Sequence, residues 1–521
     1  MTGETTLNRF IEKIQRLIIN NKTYLIYSSI LSLIYFGFDY SIEYSTDAYA
    51  SYMDKGSWVF SFYENARPVK GVIFYILENM NLSAGILYHL SWFCAMLFMI
   101  LSVTVLAGVY NKYLASEKLS AILSFLILAN PLVIEYFLFE EKGLFILTIL
   151  LNVIAMYITE YMWSHNTAIK GWIKGTIGIV ILLLNAVFIY QTSVQVYVIL
   201  CLPLILFNSG NFVDFIKKNL YVGFMYAIPM GTAFITAKYI LVIDRSEGSF
   251  SPAHAISVMV SLAKEITLNK FFHMGKGYFA LWTLGICAIT ILSVVMSQKR
   301  KMLVLLSFLY LMAGTIIVSL IIFAISDSAI PSPRTTHSYG MLFGVVLVYF
   351  FYLVNEKAFG NENVSFKITK ISGISEVLYC FSKAIAMFVI ATLLIVEFIS
   401  FEKVFVERYQ CNEADRYYAQ IIREQIRQYE DETGNEVDTI CFYSDADRMW
   451  WDAGYGDSDM MARAQSCGWS RLTSINLYLD RNYVEGEQDP ELAEYFAAQN
   501  WGMYSEDQVV FRDNELHLCI Y

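Results

Sequence analysis

Residues 83–110 read SAGILYHLSWFCAMLFMILSVTVLAGVY, a run without a single Asp, Glu, Lys or Arg. A helix needs about 20 apolar residues to cross the hydrocarbon of a bilayer. This run exceeds that length and shows no polar face of the kind a water-soluble helix would present. Comparable runs lie at 23–40, 119–134, 143–163, 173–190, 193–207, 220–242, 277–297, 302–325, 338–355 and 378–400. Together they predict an α-helical polytopic membrane protein with about eleven transmembrane helices. The whole chain agrees: its 521 residues are 56% hydrophobic and 16% charged, against roughly 25% charged in soluble domains. That balance excludes a water-soluble globule.

The polar residues are unevenly placed. From Glu402 onward there are 25 acids against 10 bases, which leaves 22 acids against 27 bases before it. An acidic tail argues against nucleic acid as a partner and fits a solvated extracytoplasmic domain. Three parts are expected: residues 1–22, 23–401 and 402–521. Residues 1–22 form an amphipathic stretch carrying Arg9, Lys13, Arg16 and Lys22. No small-residue cleavage site follows, so it reads as a cytoplasmic lead-in to a retained first helix. Residues 402–521 read as a small α/β domain. Ala414, Tyr418, Ile421, Ile422 and Ile426 form a helical stripe over 411–432, and 437–443 is a strand. A second helix covers 491–500, and 509–512 pairs with 516–521 as a hairpin across Asp513-Asn514.

Loop charge predicts orientation. Lys112, Lys118, Lys170, Lys174, Lys217, Lys218, Lys299, Arg300, Lys301, Lys357, Lys367 and Lys370 all fall in alternate short loops. The positive-inside rule puts those loops and the N-terminus in the cytoplasm. The first outer loop (41–82) then carries acids and aromatics, the second holds Glu135, Glu140 and Glu141, and the third is a tight turn at Gln191. The fourth (243–276) is long, and the fifth contains Arg334 and His337.

The first outer loop is the richest. Asp39, Glu43 and Asp47 recur every four residues, and on a helical continuation they would share one face. Acids at a membrane boundary are costly unless they pair or work; a hydrated interfacial loop is the plain alternative. Further on, Trp58 precedes Asn65-Ala66-Arg67-Pro68-Val69. The order Asp47-Ala48-Tyr49, Trp58, then Arg67-Pro68 resembles the bacterial Gtr-type O-antigen glucosyltransferase family, in which the last element is typically Gly-Arg-Pro-Leu. Ala66 and Val69 depart from that pattern. Asn130-Pro131 followed by Glu135, and Asn412-Glu413-Ala414-Asp415 after the last apolar run, are similar in order and placement.

The resemblance implies a GT-C-like membrane glycosyltransferase with its active site facing out. Such an enzyme moves a sugar, by default glucose, from a polyprenyl-phosphate donor to an extracytoplasmic glycan such as O-antigen or cell-wall polysaccharide. Its partners would be the bilayer, the lipid-linked donor and the glycan acceptor. A flippase and a donor-synthesising polyprenyl-phosphate glycosyltransferase would work beside it in a bacterial cell membrane. The resemblance casts Asp47 as catalytic base, Asp39 as runner-up, and Glu43 as a group that orients the acceptor or pairs with a cation. A carboxylate partly desolvated at a membrane surface is a stronger base. A departing phosphate needs cations, which Arg serves best. Arg67 and Arg334 are the first candidates, with Lys142, Lys276 and His337 behind them. Tyr49, Trp58, Glu135, Glu140, Glu141 and Gln191 are candidates for acceptor and sugar binding.

Plainer readings stand beside these. Arg334 next to Pro331 and Pro333 fits an interfacial anchor, Arg67 fits a salt bridge to Glu64 or another loop acid, and Glu140 and Glu141 fit solvated acids. No cofactor is implied, and a divalent-metal requirement is left open. His254 and His273 are isolated, no zinc-protease, Walker or Cys-x-x-Cys pattern occurs, and Cys411, Cys441, Cys467 and Cys519 lack zinc-site spacing. The alternative function is a lipid-linked glycan flippase or transporter, disfavoured by the lack of an internal repeat. A glycan polymerase or ligase would want more arginine in 243–276 than Arg245. A membrane acyltransferase would rest on His89 alone.

Overall fold

The structure is a computed structural model describing residues 20–41, 43–48, 65–80, 82–165, 168–241, 252–267, 278–296, 301–325, 332–354, 373–444, 463–501 and 504–519. It is built mainly from helices. They are α1 (Lys22–Phe36), α2 (Pro68–Asn79), α3 (Ala84–Leu114), α4 (Glu117–Leu128), α5 (Ile134–Leu138), α6 (Lys142–Ser164), α7 (Ile169–Ile189) and α8 (Gln195–Asn208). Then follow α9 (Phe212–Ile235), α10 (Pro252–Thr267), α11 (Tyr278–Met296), α12 (Lys301–Ile325), α13 (Pro333–Gly340), α14 (Leu342–Val354) and α15 (Gly373–Thr433).

Among the described residues, eight helices are long and apolar enough to cross a membrane, or nine if the bent pair at 117–138 counts as one span. The chain is therefore a multi-pass membrane protein. Of the other two expected spans, α1 has 15 residues and falls short of that length, while α11 has 19 residues. The bend of 52° between 128 and 131 has a local cause. Pro131 has no N–H to offer the preceding turn. Asn130 meanwhile turns its side chain onto the Leu132 N–H at 3.1 Å, starting a new short helix.

Burial follows the composition of each helix. All thirteen residues of α14 are apolar or aromatic and buried, because a helix that is hydrophobic all round must be surrounded by others. Its neighbours include α4, α8, α11 and α12. Helices α3 and α6 lie close together where Gly143 meets Ser91. The Gly143 N–H donates to Ser91 Oγ at 3.0 Å, and a Cβ at Gly143 would sit 2.9 Å from the Ser91 carbonyl oxygen. Phe36 stacks on Phe137 with ring centroids 3.9 Å apart. The Tyr35 hydroxyl donates to the Leu394 carbonyl at 2.6 Å, tying α1 to α15.

Two expectations about connections change. The fourth outer loop contains α10, whose buried Ala255, Leu262 and Ile266 form a helical stripe that packs along α12. The last membrane helix and the helix expected at 411–432 are one helix of 61 residues, roughly 90 Å at 1.5 Å per residue. No Gly or Pro lies between 401 and 411 to stop it.

The C-terminal part carries β1 (Thr439–Tyr443), α16 (Arg471–Leu479), β2 (Val484–Glu485), α17 (Pro490–Ala497), β3 (Val509–Arg512) and β4 (Glu515–Cys519). The sheet order is β2-β1-β4-β3, with β1 parallel to both neighbours and β3 antiparallel to β4. Asp513-Asn514 forms the hairpin turn, and Asp513 takes φ +51°. Strand alternation sorts the two faces. Ile440, Phe442, Leu516 and Leu518 cluster with Ile422 and Ile426 of α15 and Ile475 of α16. Cys441, Tyr443 and Cys519 lie under Leu492 and Phe496 of α17. Buried Asp415 anchors the segment before α16, accepting from Arg463 Nε at 2.7 Å and from the Ala464 N–H at 2.8 Å.

Candidate active site

One end of the bundle collects buried charge. Asp39 sits on a short helical turn after α1 and is 4% exposed. Its Oδ2 accepts from Lys142 Nζ at 2.5 Å, and its Oδ1 accepts from the Tyr88 hydroxyl at 3.1 Å. The same ammonium lies 4.0 Å from the Tyr88 ring centroid. Burial raises the Asp39 pKa, and Lys142 opposes that rise. Beside it, Lys70 of α2 pairs with Glu141, both of them buried.

The next two acids do not continue the helix. The Glu43 carbonyl accepts from Arg408 at 2.6 Å. The Tyr44 N–H and carbonyl bond to the two ends of the Asn412 amide, each at 3.1 Å. Backbone groups captured by α15 cannot make helical bonds, so Asp39, Glu43 and Asp47 do not share one helical face. Each finds its own surroundings. Glu43 is buried and ion-pairs with Arg416 at 3.4 Å. Burial pushes its pKa up to about 7, against the pull of Arg416 and Arg408.

Asp47 is half-buried in the short turn that follows. Burial, reinforced by the charge of Glu141, pushes its pKa up to about 6; Arg334 and Lys70 pull the other way, as does the Trp469 indole N–H from the C-terminal part. A carboxylate held there is largely ionised at neutral pH and still able to accept a proton.

Arg334 lies in the first turn of α13. Its backbone N–H donates to Glu135 Oε2 at 2.5 Å, and its guanidinium stands 3.7 Å from Glu135 Oε1 and 4.6 Å from the Phe139 ring centroid. The guanidinium side chain is 30% exposed. Arg67 donates to Gln191 Oε1 at 3.3 Å and lies 5.0 Å from the Tyr190 ring centroid. Gln191 in turn donates to the Asn65 carbonyl at 2.8 Å, which holds Ala66 at φ +56°. These cations sit against aromatic faces, where a guanidinium keeps its charge with less hydration.

Several expected roles are changed by these contacts. Lys142 is enclosed with Asp39, so it is a structural counter-ion rather than a phosphate ligand. His337 is 2% exposed, with Nδ1 3.3 Å from the Tyr136 hydroxyl, and belongs to the core. Glu135 is 1% exposed and bonds to the start of α13, where its charge favours the helix N-terminus. Glu140 and Glu141 are buried rather than solvated, because Lys70 folds in against them. Gln191 clamps the Asn65–Arg67 loop. Tyr49, Trp58 and Lys276 lie outside the described residues, as does Glu64.

Lys70, Tyr88, Arg408, Asn412, Arg416 and Trp469 join the site without having been expected. Arg408, Asn412 and Arg416 recur every four residues on one helix, a periodicity visible in the sequence. Lys70, the one basic residue of the largely apolar α2, is the other visible signal.

The opposite ends of α3, α6 and α8 form a separate network. Lys112 donates to Glu160 at 2.6 Å, and Asn208 donates to the Tyr113 hydroxyl at 2.8 Å. Comparison with protein families, curated proteins and solved structures gives no match.

Proposed function

We propose that the chain is a membrane glycosyltransferase that moves a sugar from a polyprenyl-phosphate donor to a glycan acceptor, with Asp47 as base. The observation that carries this reading is the half-buried Asp47 carboxylate, shifted to about 6 within the field of Arg334 and Lys70. A sugar transfer from phosphate needs those two elements together: a proton acceptor and cations for the leaving phosphate.

The acceptor hydroxyl attacks the anomeric carbon, and the bond from that carbon to the phosphate oxygen breaks. The hydroxyl proton goes to Asp47, and polyprenyl phosphate leaves with the electron pair. A single displacement inverts the anomeric centre. Arg334, exposed on one side, meets the developing phosphate charge, and Arg67 lies on the neighbouring loop. Glucose is the sugar that the resemblance of the first loop suggests. The positive-inside pattern supports an orientation with this end and the C-terminal part outside the cell membrane and the N-terminus in the cytoplasm.

Purified protein in detergent, given synthetic polyprenyl-phosphate glucose with and without glycan acceptors, tests the reading. Asp47→Asn is expected to lower donor consumption by roughly 100- to 10,000-fold with an unchanged melting temperature. Unimpaired turnover in Asp47→Asn removes Asp47 from its role. No donor binding or turnover by the wild type with several sugars removes the transferase reading and favours transport of a lipid-linked glycan.

A further inference from the structure

The C-terminal sheet holds a second cluster, remote in sequence from the first loop. Cys441 on β1 is the register partner of His517 on β4, and the two strands run parallel. Glu515, two residues before His517, projects from the same face. The Cys441 sulfur, an imidazole nitrogen of His517 and a carboxylate oxygen of Glu515 all lie within 4.8 Å of one another. Cys441 and His517 are buried, while Glu515 stands at the rim.

The surroundings hold these donors in place. His517 Nδ1 is 2.9 Å from the Tyr443 hydroxyl, whose oxygen also accepts from the Asp489 N–H at 2.7 Å. That leaves His517 Nε2 facing the cluster. It is buried and makes no hydrogen bond, although Glu515 Oε2 stands 3.5 Å away. The backbone has also made room for the sulfur. A Cβ on Gly486 would lie 2.6 Å from Cys441 Sγ, so a larger residue there would push the thiol from its seat.

We propose that Cys441, His517 and Glu515 bind one divalent transition-metal ion, of which zinc fits best. A thiolate, an imidazole and a carboxylate form a donor set that suits zinc and suits neither magnesium nor calcium. Bonds of about 2.0–2.3 Å require the donors to close in from their present spacing, a movement that side-chain rotation supplies. Tyr443 plays the part of the outer partner that fixes the ligating ring and its tautomer. The ion would satisfy Nε2, which otherwise loses hydration without recompense, and would tie β1 to β4. The Cys441 S–H bond is exchanged for an S–metal bond and its proton goes to solvent, so binding tightens as pH rises.

The test uses the full chain in detergent, stripped with a chelator and titrated with Co²⁺, then with Zn²⁺ as displacer. The expected result is one equivalent bound, with a sulfur-to-cobalt charge-transfer band and the visible bands of a tetrahedral ion. Cys441→Ser abolishes the charge-transfer band, and Tyr443→Phe keeps it but weakens binding roughly 10- to 100-fold. Cys467→Ser leaves spectrum and affinity unchanged. A wild type that binds no stoichiometric ion, or a band that survives Cys441→Ser, overturns the proposal. Should Cys441→Ser not fold, X-ray absorption on the zinc-loaded wild type decides: one sulfur with nitrogen and oxygen neighbours supports the site, and a shell without sulfur overturns it.

Discussion

Asp39 and Asp47 leave the same loop and end in opposite kinds of pocket. Asp39 is sealed, with Lys142 at 2.5 Å and Tyr88 at 3.1 Å taking up both of its oxygens. Asp47 is half-buried, with Arg334 and Lys70 acting on it through their charge and Trp469 closing one side. The comparison teaches that burial alone does not make a working carboxylate. A sealed pair holds helices together, whereas a desolvated acid with access on one side can exchange a proton.

Breaking the sealed pocket should have the largest effect. Lys142→Ala strands the Asp39 charge in a buried place, and removing one member of such a pair costs about 3–5 kcal/mol. The expected outcome is a large drop in melting temperature in detergent, with loss of function following loss of fold. Combining Lys142→Met with Asp39→Asn removes both charges and should recover much of the lost stability. If the double variant melts no higher than Lys142→Ala, the pair is not what holds α6 to the loop after α1.

The open pocket should respond differently. Arg334→Ala removes a cation that is exposed on one side, and loss of one preorganised charge-stabilising group typically lowers kcat roughly 100- to 1,000-fold. Its melting temperature should fall less than that of Lys142→Ala, because the backbone N–H of residue 334 still donates to Glu135. A variant that raises KM for the donor with kcat intact would make Arg334 a binding group instead.

The pH profile sharpens the contrast further. A base works deprotonated, so activity governed by Asp47 should be flat well above pH 6 and fall about tenfold per unit below about 6, where its carboxylate takes up a proton. Asp39, shielded from solvent, contributes no such limb. An inflexion near 7 would instead move the essential carboxylate to Glu43, which burial raises to about that value.

What could be read from the sequence follows the range of the interactions. Hydropathy is local, so the run at 83–110 declares α3 without reference to any partner. Strand alternation is local too, so the hairpin at Asp513-Asn514 is visible, with β4 starting at Glu515, one residue earlier than its apolar run suggests. Pairing is not local. Lys142 meets Asp39 across 103 positions, and Arg408 meets the Glu43 carbonyl across 365. Nothing in residues 39–47 announces that α15 will capture their backbone, so their spacing of four reads as helix and is not. The same holds for Cys441 and His517, which only the register of β1 and β4 brings together.

Asn412 tests how far that capture matters. Its amide spans the Tyr44 N–H and carbonyl, and the Tyr44 backbone lies between the Glu43 pair and the Asp47 turn. Asn412→Ala should cost about 1 kcal/mol, since each such bond contributes about 0.5–1.5 kcal/mol net and water can reach part of this segment. That corresponds to roughly a fivefold loss in kcat if the bonds hold Asp47 in its working position. Asn412→Asp keeps an acceptor for the Tyr44 N–H and loses the donor to its carbonyl, so it should fall between wild type and Ala. A kcat unchanged in Asn412→Ala, with the pH limb still near 6, would show that Arg334, Lys70 and Trp469 set the Asp47 pocket without help from α15.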